Sequence, residues 1–262
     1  MRPSLEALLH ARHPTVFAAG RGCQHADGWF ALVDALATVL AGRGVEAAQV
    51  KEKFGELRFY TAADPGDFGS GAIQAATAYS RAVCEETGLP GMTMRRRGYY
   101  RTVSPASPWY AAGQAPERFP DRSHLVAGGA DMEAATLAAT RPEDGLSKGG
   151  RRTLSTASPG WCADLPVGYR DLGLALLSCL GSLSSAGPGR PVPHLQAMRW
   201  SAGDGLSAVV GWPETGDWSR CQDEFAGALA FANVMLPGVD PATGTCGVGD
   251  DGRPAWGSRA GH

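Results

Sequence analysis

The sequence predicts an α+β fold of two similar units, each an antiparallel β-hairpin sheet packed by two helices. Three observations carry this reading. Apolar residues recur at helical spacing over residues 29–40, they alternate as in strands over 49–61, and the same order of elements returns in the second half.

Residues 5–17 read as a short helix ended near Pro14, because proline cannot continue a helical ladder. A loop with Gly20, Gly22 and Gly28 follows. Apolar residues at 29, 32, 33, 36, 39 and 40 then give a helix with one buried face, stopped by Gly42 and Gly44. Residues 49–54 and 56–61 read as strands around Gly55, with Val50, Phe54, Leu57 and Phe59 alternating with charges. An Asp/Pro/Gly loop spans 63–70, and a second helix spans 72–83 with Ile73, Ala76, Ser80 and Val83 on one face. It ends in the turn cluster Thr87-Gly88-Leu89-Pro90-Gly91, after which 92–94 and 99–103 form a short strand pair.

From about residue 104 to 159 the chain is rich in Pro and Gly, with one short helix candidate at 132–139. It reads as a connector (105–158) between a first unit (5–104) and a second, diverged unit (159–258). Shifting the chain by 140 lays residues 28–40 on 168–180 without gaps, and five of 13 positions are identical: Gly28/Gly168, Leu32/Leu172, Ala35/Ala175, Leu36/Leu176 and Leu40/Leu180. A hairpin over 195–200 and 206–212 follows, then a helix over 221–236 and a turn with Thr243-Gly244 opposite Thr87-Gly88. The offset there is 156, so about 16 residues of insertion intervene. These matches predict an internal duplication.

Composition narrows the function classes. The chain of 262 residues is 44% apolar and 19% charged, which suits a folded protein. A net charge of -2 and a pI near 6.3 argue against a general polyanion binder. The N-terminal apolar run is short and broken by Glu6, so no signal peptide is expected, and no stretch is long and apolar enough to span a membrane. Six cysteines without a CxxC pair read as reduced thiols of a cytoplasmic protein.

Three strings carry a resemblance: Asp27-Gly28-Trp29, the run Gln49-Val50-Lys51-Glu52-Lys53-Phe54-Gly55-Glu56-Leu57-Arg58-Phe59-Tyr60, and Cys84-Glu85-Glu86-Thr87-Gly88-Leu89-Pro90-Gly91. Over residues 5 to 104 the chain resembles an uncharacterised bacterial and phage-associated family with a DGW helix, a VKEKFGxLRFY hairpin and a CExxGxPG turn. The resemblance brings no activity with it. Many such proteins carry a second Cys in that turn and a later Cys and His, with zinc-ribbon spacing. Here Thr87 stands at the second position and Tyr100-Arg101-Thr102-Val103-Ser104-Pro105 follows, so the ligand set is broken: the resemblance implies a degenerate member, and the chain is expected to hold no stoichiometric metal and no cofactor.

The candidate binding residues lie in two hairpins and among the tryptophans. Lys51 and Lys53 are two of only three lysines, and with Arg58 they crowd one hairpin whose counterpart, Leu195-Gln196-Ala197-Met198-Arg199-Trp200, lacks those charges. A solvated sheet face would account for such charges too. Arg95-Arg96-Arg97 precedes Tyr99 and Tyr100, a basic and aromatic combination suited to phosphate or bases, although the three arginines also suit a solvated tip. Five of seven tryptophans, Trp200 and Trp212 among them, fall in the second half, as core or as a protein-binding surface. Cys23-Gln24-His25 offers a thiolate–imidazole pair or two metal ligands, but no positioned base or oxyanion site accompanies it, so ordinary loop residues are the expectation.

The expected function is therefore a non-enzymatic module with a protein partner, for instance a cytoplasmic immunity or inhibitor partner of a bacterial toxin or phage factor. No residue points to the toxin itself. A nucleic-acid-associated protein derived from a zinc-ribbon-like ancestor is the first alternative, and an enzyme using Lys51, Glu52, Arg58 and Cys23 the second. No membrane contact is expected, and the chain is expected to be a monomer or homodimer.

Overall fold

The computed structural model describes residues 1–20, 22–111, 117–118, 160–183 and 192–256. The expected helix at 132–139 lies outside the described residues, as does most of the expected connector. Over the expected first unit run α1 (Pro3–Arg12), β1 (Cys23–Gln24), a 3-10 turn (Asp27–Trp29) opening into α2 (Phe30–Ala41), β2 (Ala47–Lys53), β3 (Glu56–Thr61), α3 (Gly66–Ser80), β4 (Met92–Arg96) and β5 (Tyr99–Val103); α4 (Pro108–Ala111) and β6 (Glu117–Arg118) follow within the expected connector. The second runs from a 3-10 turn (Val167–Tyr169) into α5 (Arg170–Leu183), then β7 (His194–Ser201), β8 (Gly205–Gly211) and α6 (Ser219–Met235). Strands order as β1-β2-β3, β5-β4-β6 and β7-β8, and the helices pack on these small sheets. The fold is α+β.

The structure departs from the expectation in several places. α4 and β6 lie in the stretch expected as connector, β6 pairing with β4 (Met94 with Arg118), and α3 ends at Ser80, not 83. β1 adds a short parallel strand to the edge of β2, pairing Cys23 with Val50. Helix α3 begins at Gly66, six residues before the expected start, inside a stretch whose glycines read as loop. Tertiary packing overrides that propensity. A Cβ on Gly71 would overlap the backbone carbonyl oxygen of Glu224 in α6, and a Cβ on Gly227 would overlap that of Phe68 in α3. Both glycines are there so that two helix backbones can touch.

That crossing is reciprocal. Gly71 and Gly227 are 156 residues apart, as are Phe68 and Glu224, so each unit gives the other the same contact. Equivalent bonds recur at the turns. Gly28 N–H donates to the Glu85 carbonyl at 2.7 Å, and Gly168 N–H to the Pro241 carbonyl at 2.8 Å. Gly88 N–H donates to Cys84 O at 2.9 Å, and Gly244 N–H to Asp240 O at 2.8 Å. A Cβ on Gly28 or Gly168 would strike those same turns, which explains why the two helix entries share glycine.

Each outer strand edge is also capped from the following helix. Leu57 in β3 donates to Ser80 Oγ (2.9 Å) and accepts from Thr77 Oγ1 (3.1 Å). Leu206 in β8 donates to Asn233 Oδ1 (2.7 Å) and accepts from Asn233 Nδ2 (2.9 Å). Covering an edge in this way denies it to other strands.

The buried apolar residues of both units form one core. Leu5, Trp29, Leu36 and Leu57 of the first belong to it with Leu172, Leu176 and Phe231 of the second. A small separate cluster of Cys84, Met94 and Val103 lies under the β4–β5 hairpin. Among the described residues, no helix is long and apolar enough to cross a membrane.

Candidate functional site

Strand alternation decides which charges of the first hairpin meet. In β2, Val50 turns to the core while Lys51 and Lys53 stay on the other face. Register sets Lys51 opposite Arg58, Lys53 opposite Glu56, and Gln49 opposite Tyr60. Directly opposed residues share a face, and two like charges so placed oppose pairing.

Arg58 is compensated: it pairs with the buried Glu56 at 2.8 Å, a carboxylate that also takes Arg81 at 2.7 Å. Lys51 donates to Gln49 Oε1 at 2.8 Å and lies 5.3 Å from the Tyr60 ring centre. Lys53 lies 5.4 Å from the Phe54 ring centre. Among the described residues, neither lysine pairs with a carboxylate. A cavity of about 310 Å³ opens between Lys53, Phe54, Arg58 and Tyr60 of the hairpin and Ile73 and Thr77 of α3.

The tip of this hairpin joins it to the second one. Phe54 has φ of 58° and Gly55 of 76°, the left-handed pair of a tight two-residue turn. The turn docks on β4–β5, where Thr102 Oγ1 donates to the Gly55 carbonyl at 2.6 Å. The Phe54 side chain, 60% exposed, meets the Tyr100 ring edge-on at 6.1 Å. Arg95, opposite Tyr100 in register, lies 5.9 Å from that ring. Lys53, Phe54, Tyr100 and Arg95 therefore form one continuous run of cation and ring. Arg97 sits at the tip of the second hairpin with φ of 49°, again before a glycine of positive φ.

The second hairpin is held by carboxylates beneath it. Glu85 is buried, accepts the Ala26 N–H at 3.0 Å and faces Arg101 at 3.3 Å. Burial raises its carboxyl above the ordinary range, and Arg101 opposes that shift. Glu86 takes Arg101 at 2.9 Å and accepts from the Ser107 hydroxyl. The acidic residues of the Cys84 turn thus position the hairpin from below.

The structure brings together Lys51, Lys53, Arg58, Arg95 and Tyr100, with Arg97 at the adjoining tip. Tyr99, 76% exposed, lies on the opposite face of β5, across from Arg96. Trp200 and Trp212 sit apart, Trp200 in β7 and Trp212 just beyond the end of β8. Trp200 packs edge-on against Tyr169 at 5.5 Å, Trp212 lies 6.4 Å from Trp218, and both lean on the shared core.

Phe54 and Tyr60 lie outside the candidates that sequence pattern offers, since alternation groups Phe54 with Val50, Leu57 and Phe59. The readable signal was Phe-Gly at a hairpin turn, where Asn-Gly would relax the backbone.

Two other candidates resolve chemically. Burial lowers the His25 imidazole to about 4 and raises the Cys23 thiol to about 12, so both are neutral near pH 7 and do not form a thiolate–imidazolium pair. At the Cys84 turn, the Thr87 hydroxyl bonds that of Ser104 at 3.3 Å, and Cys84 is buried with Met94 and Val103.

No family model, curated protein or solved structure matches the chain.

Proposed function

We propose that the chain is a non-enzymatic binding protein that docks the β2–β3 and β4–β5 face of its first unit onto an acidic protein surface. The run Lys53–Phe54–Tyr100–Arg95, flanked by Lys51 and Arg97, carries the reading. Exposed rings beside cations are the composition that concentrates binding energy at protein interfaces. The cavity beside Phe54 supplies a recess for a partner side chain. A protein is favoured over a nucleic acid because Glu56, Glu85 and Glu86 already neutralise Arg58, Arg81 and Arg101, which leaves few cations to displace counterions from phosphates.

The reciprocal α3–α6 crossing supports an origin of the two units by duplication, with only the first keeping the charged hairpin. The six free thiols support a reducing compartment such as the cytoplasm. An inhibitor or immunity protein covering an acidic target is a partner relation this face would suit.

The test is the Lys51→Ala/Lys53→Ala double variant of the full chain. Its stability should change by under ~0.5 kcal/mol per site, as for solvated charges. Partners that co-purify with the parent protein from its native host should be lost, and their association rate with the parent should fall with salt. Retention of the same partners by the double variant would overturn the reading. So would partners that depart on nuclease treatment, which would assign the face to nucleic acid.

A further inference from the structure

We propose that Glu6, His10 and Cys23 form a site for one divalent cation of zinc's class, pinning α1 to β1. The three residues each bring one donor atom, and these atoms lie within 4.8 Å of one another. Glu6 and His10 are four apart on α1 and so share a helix face. Cys23 arrives from β1, held in place by its pairing with Val50. Its backbone N–H donates to Glu6 Oε1 at 2.6 Å, which fixes that carboxylate beside the thiol. The His10 ring stacks on Phe17, with centroids 5.0 Å apart and planes within 7°. Its Nε2 atom is buried and has no hydrogen-bond partner among the described residues.

A buried imidazole nitrogen left without a partner calls for an explanation, and a bound ion supplies one. The donor set selects the ion. Thiolate, imidazole and carboxylate together suit zinc, whereas magnesium and calcium favour oxygen alone. Charge closes as well, since one carboxylate and one thiolate balance a 2+ ion in this half-buried place. Binding forms the sulfur–metal bond and expels the thiol proton to solvent, so uptake releases one proton per ion. Three protein ligands leave the fourth tetrahedral position to water. The site is independent of the Cys84 turn, where Thr87 breaks the ligand set.

The experiment loads chelator-treated full-length protein with one equivalent of Co2+, and in parallel with Zn2+. Expected are one ion per chain by elemental analysis, a thiolate-to-cobalt charge-transfer band in the near ultraviolet and a raised melting temperature. Cys23→Ser should abolish the band, and His10→Ala should weaken cobalt at least tenfold. Glu6→Gln should weaken it likewise while keeping an acceptor for the Cys23 N–H, so the test survives if another variant folds poorly. A Cys84→Ser/Cys246→Ser double variant should bind as the parent does. Absence of the band at one equivalent, or its survival in Cys23→Ser, overturns the site.

Discussion

The hairpins β2–β3 and β7–β8 each follow a helix entered through a 3-10 turn and precede a second helix, and they turn by different means. β7–β8 uses a wider loop in which Ser201 Oγ both donates to the Asp204 carboxylate and accepts the Asp204 N–H, each at 3.0 Å, before Gly205 at φ of 75°. β2–β3 turns in two residues and places an exposed Phe54 in the left-handed region, a conformation that costs on the order of 1 kcal/mol for such a side chain. The second unit thus builds its hairpin with neither the strain nor the lysine pair. What the first unit adds is surface, and beyond its turn it also adds the β4–β5 hairpin. Among the described residues the second unit instead runs to a single bridge between Val248 and Pro254.

The strongest test of this correspondence is the helix crossing. Gly71→Ala and Gly227→Ala each drive a Cβ into backbone, which a flexible side chain cannot relieve. Each should destabilise by about 3 kcal/mol or more, at or beyond the upper range of overpacking, as measured by urea unfolding. Similar costs at both sites would sharpen the equivalence, and a large disparity would break it. Gly42→Ala, at φ of -64° with only a 3.7 Å contact, should stay within ~0.5 kcal/mol of the parent.

A second test uses a position where the units differ in charge. Ala31 of the first corresponds, at the offset of 140, to Asp171 on the first turn of α5. Burial pushes the Asp171 carboxyl up to about 7. Its electrostatic surroundings include Tyr79 of α3, buried, with Tyr169 and Cys246 near the same ring. The unfolded chain releases this proton near pH 4, whereas the folded chain holds it to about pH 7. The contribution to stability is therefore full at low pH, declines between those values and is absent above pH 7. Asp171→Asn should raise stability at pH 8 relative to pH 5 by roughly 2 kcal/mol against the parent. An unchanged pH profile would show that the difference between the units is energetically silent there.

Much of this comparison was legible in the sequence. Helical spacing located α2 and α5, alternation located both hairpins, and the glycine pair 28/168 marked the shared helix entry. The glycines Gly66, Gly69 and Gly71 make the start of α3 read as loop. What places Gly71 in a helix is a backbone 153 residues away, beyond the reach of any local window. The same holds for the candidate site. Lys51, Lys53 and Arg95 could be named from composition, but their union depends on Phe54 reaching Tyr100. Alternation groups Phe54 with Val50, Leu57 and Phe59, but it fails at a turn where φ is positive and the ring is exposed. Residue type alone groups Trp200 and Trp212 with these residues, whereas topology puts them in and beside the separate β7–β8 sheet.

The smallest expected effect bears on the claim that the first unit accepts strain to shape a surface. Arg97 repeats the arrangement of Phe54, a non-glycine residue at φ of 49° ahead of Gly98 at 84°. Asparagine tolerates that region better, because its short polar side chain can bond locally. Unlike Phe54, Arg97 has no ring contact among the described residues, so Arg97→Asn removes strain without removing packing. It should stabilise the protein by about 0.5 kcal/mol, a fraction of the cost of a left-handed non-glycine residue. It should also weaken the partner association tested with the lysine variants, since a cation leaves the tip of the same face. Ala202→Asn, in the wider loop of the second unit, should do neither. A destabilised Arg97→Asn would mean that the arginine secures the turn itself. The contrast between a strained first hairpin and a relaxed second one would then rest on Phe54 alone.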